Sequence, residues 1–294
     1  MISVVLALFA AASNAVASVL QRRTARSLPD KQAFRPSLIL TLIRYPGWLC
    51  GIGALILGFV FQAAALSAGG LTLVQPVLVV ELPITMVLVS RVFGTRLDRR
   101  SWFAVGTMTV GVATFLASAA PGRGHSTPGT TEWVLAVVVT VGVVTGLVMA
   151  ARLTAGPARA AVLGVAAGIG FAFTATFIKE STTIFERNPG ELATSWEPYA
   201  MVIAGLCSLF LLQNALQSGP LVAAQPALTI SDPVAGILYG TMMFGEQVRT
   251  GAWTLLEALG IALIIFGSFL LAQSPILGER QARATAARAR GRSR

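Results

Sequence analysis

Nine apolar runs of about 18 to 22 residues, each able to cross roughly 30 Å of hydrocarbon, leave this 294-residue chain few folds to choose from. They run Ile2–Leu20, Trp48–Leu66, Leu71–Val89, Trp102–Ala119, Trp133–Ala150, Ala160–Ile178, Tyr199–Leu216, Leu221–Phe244 and Trp253–Leu271. Four open on Trp and one on Tyr, side chains that suit the headgroup level. With 55% hydrophobic and only 12% charged residues and a mean hydropathy of +0.75, a soluble globular domain is excluded. The expected class is all-α: a polytopic membrane protein of nine transmembrane helices. The first run reads as a retained helix, because Met1, Ile2 and Ser3 supply no basic n-region for a cleaved signal peptide.

The net charge of +10 is distributed by loop. All but four of the 22 Lys and Arg residues fall in the first, third and fifth loops and the tail; Arg123, Lys179, Arg187 and Arg249 are on the other side. By the positive-inside rule the C-terminus is expected in the cytoplasm and the N-terminus outside, and the expected location is the plasma (inner) membrane. The tail RQARATAARARGRSR, with six arginines, reads as a disordered basic segment against anionic headgroups. Nucleic acid is not an expected partner, since no aromatic interleaving or binding motif accompanies the charge. Cys50 and Cys207 fall within spans and read as packing residues. His125, the single histidine, sits in the solvated stretch PGRGHSTPG. The longest outer loop is expected to be STTIFERNPGELATSWEP, about 18 residues and too short for an active site.

An internal repeat lies at an offset of about 150 residues. From Gly69 and Gly219 two stretches align without a gap, pairing Leu71 with Leu221, Gln75 with Gln225, Pro76 with Pro226, Leu78 with Leu228 and Pro83 with Pro233. Further on, FGTRLDRRSW answers FGEQVRTGAW. Spans one to four thus correspond to spans six to nine. Each lies five spans from its counterpart, an odd number, so the second set is inverted relative to the first, as in many secondary transporters. The expected organisation is a first repeat over 1–120, a linking helix within 121–158, a second inverted four-helix repeat over 159–275 and the tail over 276–294.

The repeat also carries the chemistry. Pro76 and Pro83 in the third span, and Pro226 and Pro233 in the eighth, remove backbone donors and free carbonyls that lipid cannot satisfy, so they are candidate hinges facing a cavity. Beside the second proline of each pair stand Glu81 and Asp232, near mid-span, where a charge costs at least about 2.5 kcal/mol. They read as lining a substrate or proton pathway, or else as carboxyls that hold the bundle together. Glu81 aligns with Ser231 and Asp232 with Leu82, so each half presents its carboxylate from a different helix face, and the expected site is asymmetric. Asn14, Gln62, Gln75, Gln213, Asn214 and Gln225 add amides that serve either substrate contact or interhelical bonding. Arg22 and Lys179 end the first and sixth spans at aligned positions and are possible gates or snorkelling anchors. Gly51, Gly53 and the run GVAAGIG offer small faces for close helix approach. Without a P-loop, an HEXXH or a GXSXG, no ATP-driven or enzymatic reading has its minimum parts, and no cofactor is expected.

With these features the chain resembles the drug/metabolite transporter superfamily, in which an EamA-like unit is duplicated in inverted orientation. The segments ISDPVAGILYGTMMFGEQV and ALGIALIIFGSFLL match its Pro-centred helix, Gly-Glu and final Gly-rich helix. Nine spans rather than ten, together with WLCGIGALILGFVFQAAALSAGGLTLVQP, AFTATFIKE and LLQNALQSGPLVAAQP, are similar to the NIPA-like magnesium transporter branch. The chain departs from that branch at the substrate positions. Acidic residues expected in the second and seventh helices fall on Phe59 and Gln217, and the branch has no carboxylate where Glu81 and Asp232 stand. The resemblance implies a secondary transporter of a small solute. The alternatives are a divalent-cation (Mg²⁺) transporter, with Glu81 and Asp232 as metal ligands, and a non-transporting membrane scaffold or flippase subunit. Membrane lipid and a small-molecule or cation substrate are the implied partners, with monomer and homodimer both open.

Overall fold

The computed structural model describes residues 2–26, 46–94, 98–119, 128–219, 221–247, 251 and 253–272. Among them there is no strand, and nine helical spans are long and apolar enough to cross a membrane. The helices are α1 (Ile2–Arg26), α2 (Pro46–Ala68), α3 (Leu71–Leu78), α4 (Glu81–Phe93), α5 (Arg99–Ala119), α6 (Thr130–Leu153), α7 (Gly156–Arg187), α8 (Glu197–Ser218), α9 (Leu221–Phe244) and α10 (Trp253–Ala272). Ahead of α5, Asp98 accepts a 2.9 Å hydrogen bond from the Ser101 amide. That contact satisfies an orphan helix donor, and the Ser101 hydroxyl together with this amide holds the Asp98 carboxyl below the usual carboxylate range.

The third span is two helices, α3 and α4, meeting in a turn at Val79–Val80. Proline chemistry contributes to it. Pro83 has no N–H to offer the Val79 carbonyl four residues back, and Leu82 N takes that carbonyl instead at 3.1 Å, tightening the turn. The eighth span, by contrast, passes through Pro226 and Pro233 as the single helix α9.

Lipid supplies little hydrophobic driving force between helices, so close backbone approach has to hold them together. Ala7, Ala10, Ala11 and Ala15 are fully buried on α1, which packs along α2. The α7–α9 crossing is equally tight: a Cβ on Gly164 would lie 2.6 Å from the Ala224 carbonyl oxygen, and one on Gly168 2.9 Å from that of Leu228. At the α5–α10 crossing, Gly111 and Gly260 each bring a would-be Cβ within 2.8 Å of the other's carbonyl oxygen. Gly111→Val is therefore expected to lower stability by about 1–3 kcal/mol or more through overpacking. Gly142→Val, at a glycine with open space around it, should stay within about 0.5 kcal/mol. Thermal unfolding in detergent distinguishes the two. Outward-facing Leu135, Val138, Leu206, Phe210 and Leu255 are more than half exposed and form part of the lipid-facing belt.

Two sequence expectations need correcting here. Gly53 is exposed with nothing near it, so it makes no close crossing. Residues 181–198 are not a loop of 18 residues: α7 runs on to Arg187, a 3₁₀ helix spans Pro189–Ala193, and α8 begins at Glu197. At 32 residues, α7 is about 48 Å long, well beyond the hydrocarbon thickness. Beyond α7, Asn188 accepts from the Gly190 amide at 3.2 Å and donates to Glu191 at 3.0 Å, and Tyr199 donates to the Ala193 carbonyl at 2.8 Å. Local polar bonding, which hydropathy does not register, orders this connection. Arg123, His125 and residues 273–294, including the basic tail, lie outside the described residues.

Candidate functional site

Between α1, α2, α3, α4, α7, α8 and α9 lies a cavity of about 430 Å³. Its lining includes Asn14, Gln62, Gln75, Glu81, Gln225 and Asp232, six of the eight polar residues proposed from the sequence, together with Thr174 and Thr229. Glu81 and Asp232 each stand about midway along their spans. Asn14 stands beside Glu81 in the lining, and Gly58 leaves the room its amide oxygen occupies. Gln75, buried, packs its stem against Gly236 of α9. Two atoms of the lining, Asp232 Oδ1 and Thr229 Oγ1, are buried and have no hydrogen-bond partner among the described residues. Unmet buried polar atoms cost about 1–3 kcal/mol each unless something completes them.

The turn at Val79–Val80 explains how both carboxyls reach one cavity from unaligned positions. An unbroken third span would carry Glu81 on a different face from Gln75; with the break, Glu81 and Leu82 both line the cavity. In the intact α9, Asp232 follows Gln225 by two helical turns on the same face. Ser231, the aligned partner of Glu81, turns back onto its own helix and donates to the Ala227 carbonyl at 2.8 Å.

Gln213 and Asn214 are not brought to the cavity. Gln213 is exposed, and Asn214 donates to the Phe210 carbonyl of its own helix at 2.8 Å. It is Leu212 that α8 turns inward, a rotation of about 100° from Gln213. Phe59 and Gln217 are exposed as well. The side chain of Arg22 lies outside the described residues.

Lys179 forms an ion pair with Glu246 in a closed polar cluster. One Glu246 oxygen accepts from Leu71 N at 2.9 Å as well as from Lys179; the other accepts from Thr72 N at 2.9 Å and Thr72 Oγ1 at 2.7 Å. The carboxylate thus caps α3, whose own N-cap, Gly70, has no side chain to do so. The Lys179 ammonium also stands 3.9 Å from the centre of the Phe244 ring. Because Glu246 is buried and Lys179 nearly so, the cluster is a closed contact joining α3, α7 and the end of α9. Ser67 donates to Glu186 at the same end, tying α2 to α7.

Sequence reading missed Glu246, although it is the acidic residue of the Phe-Gly-Glu signature; its counterpart in the repeat, Thr95, has no charge to draw attention. Phe171, Thr174 and Thr229 gave no signal, being ordinary residues of apolar helices. The cavity lining carries two carboxyls, four primary amides and no basic side chain. It is therefore acidic, and chemically it suits a cation or an ammonium-bearing solute. Among the described residues no three His, Cys, Asp or Glu side chains converge as a cluster able to hold a metal ion.

The uncharacterized protein Cgl0250/cg0304 of Corynebacterium glutamicum is 30% identical over 268 residues, covering 90% of this chain and 92% of that protein. The chain belongs to the same family. Coverage of this extent takes in most of both chains. No family model and no solved structure matches the chain.

Proposed function

We propose that this chain is a secondary transporter of the drug/metabolite transporter type, moving a small organic solute across the plasma membrane by alternating access. The observation that carries the proposal is the cavity: residues from both repeats supply its polar lining, and two buried polar atoms there have no hydrogen-bond partner among the described residues. Its volume of about 430 Å³ is that of a small-molecule site rather than of a bare ion.

Inverted repeats are supported by position-by-position correspondence. Gln75 and Gln225, Leu78 and Leu228, Val79 and Thr229, and Leu82 and Asp232 all line the cavity in aligned pairs. Gly94 and Gly245, the glycines of the two Phe-Gly pairs, both take left-handed backbone at φ 63° and 60°. Aligned Gly69 and Gly219 pack against Ser3 and Ala160, near the starts of α1 and α7. The first contact lies at the Glu246 end of the molecule and the second at the opposite end, as inversion requires. Under this reading α6 is the linking helix.

Lys179 and Glu246 then close one end of the solute route, and must separate when that end opens. Thr95 in place of Glu246 cannot form the equivalent pair at the other end, so the closed form at the Lys179 end is selectively stabilised. Loop charge sets the Lys179 end outside and the C-terminus in the cytoplasm.

Thermal unfolding in detergent across a panel of amino acids, organic amines, nucleotide sugars and Mg²⁺ tests the proposal, because a binder of the folded state raises the midpoint. A shift with an organic solute, lost in the Glu81→Gln/Asp232→Asn variant, is expected. The juxtaposed carboxyls favour Mg²⁺ as the second reading, and a shift with Mg²⁺ alone would replace the first by it. No shift with any compound would favour a scaffold that needs a partner chain.

A further inference from the structure

A separate cavity of about 400 Å³ lies at the Lys179–Glu246 end, formed by the start of α6, the far part of α7 and the start of α8. Its walls include Trp133, Trp196, Glu180 and Glu197. The indoles are 5.2 Å apart between centroids with planes 81° to one another, so they form two walls of a corner. Phe177 fixes that corner, stacking on Trp133 at 4.9 Å and meeting Trp196 edge-on at 5.6 Å. Glu180 is only 7% exposed, and Oε2 of both Glu180 and Glu197 is buried without a hydrogen-bond partner among the described residues.

Such a combination is expensive unless a cation completes it: buried carboxylate oxygens need a positive charge or a donor, and the lining provides no basic side chain. Lys179 and Arg187 are near enough to influence Glu180, but Lys179 is committed to Glu246, and Arg187 is exposed and forms no ion pair with Glu180 among the described residues. A hydrated divalent ion wants six or more oxygen ligands, whereas indole walls attract a cation with a weakly held water shell. We propose that this cavity binds a small ammonium group, borne by a free solute or by a lipid headgroup. Glu180 and Glu197 supply the charge and Trp133 and Trp196 the aromatic walls. The site involves neither Glu81 nor Asp232 and stands whether or not the chain transports.

Choline is the probe, and 3,3-dimethylbutan-1-ol its uncharged counterpart of the same shape. Titration of the full chain in maltoside micelles, followed by tryptophan fluorescence and calorimetry, should show saturable choline binding that Glu180→Gln weakens roughly tenfold or more. Binding should persist within about threefold in Asp232→Asn, which separates this site from the central cavity. Because the Gln substitution keeps size and shape and removes an unpartnered buried charge, the ligand-free unfolding midpoint of Glu180→Gln should be no lower than the parent's and report an intact fold. Phosphatidylcholine added to the micelles would compete with choline if a lipid headgroup is the natural source, and would leave it unaffected if a free solute is. Equal binding of the neutral alcohol, an unchanged affinity in Glu180→Gln, or loss of binding in Asp232→Asn would each overturn the proposal, as would a response to Mg²⁺ without one to choline.

Discussion

Replacing Asp232 by Asn is expected to reduce solute movement through the reconstituted protein by on the order of 100-fold, since a hydrogen bond to a charged group contributes about 1.5–3 kcal/mol. The substitution keeps the shape of the side chain and removes its charge. Asp232 Oδ1 is buried without a hydrogen-bond partner among the described residues, so its full interaction is available to an incoming cationic group. Glu81→Gln should be less severe, because Asn14 stands beside that carboxyl and competes with solute for it. Flux of labelled solute in proteoliposomes checks both the loss and the order. An Asp232→Asn protein that carries solute at the parental rate would remove the carboxylate from the mechanism.

The second large effect concerns stability. Glu246→Ala leaves the Lys179 charge and the donors of Leu71 and Thr72 without their acceptor, and breaking one partner of a buried pair costs about 3–5 kcal/mol. Lys179→Met should cost less, because Glu246 keeps its three bonds to the start of α3. A sharper consequence follows from the capping role: exchanging the charges, Lys179→Glu with Glu246→Lys, restores a pair but not the cap, since lysine cannot accept from Leu71 N and Thr72 N. Unfolding midpoints should therefore rank Lys179→Met above Glu246→Ala, with no rescue by the exchange. If the exchanged pair recovered parental stability, Glu246 would act through charge alone.

Much of this was legible in the sequence because lipid simplifies the reading. Span lengths and positions follow from hydropathy, and the boundaries agree to within a few residues for most helices: Trp253–Leu271 was expected and Trp253–Ala272 is found. Polar residues in an apolar helix are conspicuous, which is why Glu81, Asp232, Asn14 and three glutamines were singled out and do line one cavity. Rotation about a helix axis is harder to read. Gln213 and Leu212 differ by a single step, and only neighbouring helices decide which faces inward. The break at Val79–Val80 needed more than its prolines to locate it, since α9 carries the same pair unbroken. Glu246 escaped notice because its function lies in contacts to backbone amides some 175 residues away, a relation that no spacing in the sequence encodes. Likewise the corner of Trp133 and Trp196 joins residues that had been read as headgroup anchors or left unremarked.

The most direct measurement is the transient current that a solute jump produces across proteoliposomes adsorbed to a solid-supported membrane, recorded for the full chain against a panel of organic amines and zwitterions. Alternating access through the acidic cavity predicts a saturable current for at least one solute in the parent protein and none in the Glu81→Gln/Asp232→Asn variant. Solute binding at that cavity with no current and no flux would contradict it, leaving a receptor or scaffold with a pocket but no route through the membrane.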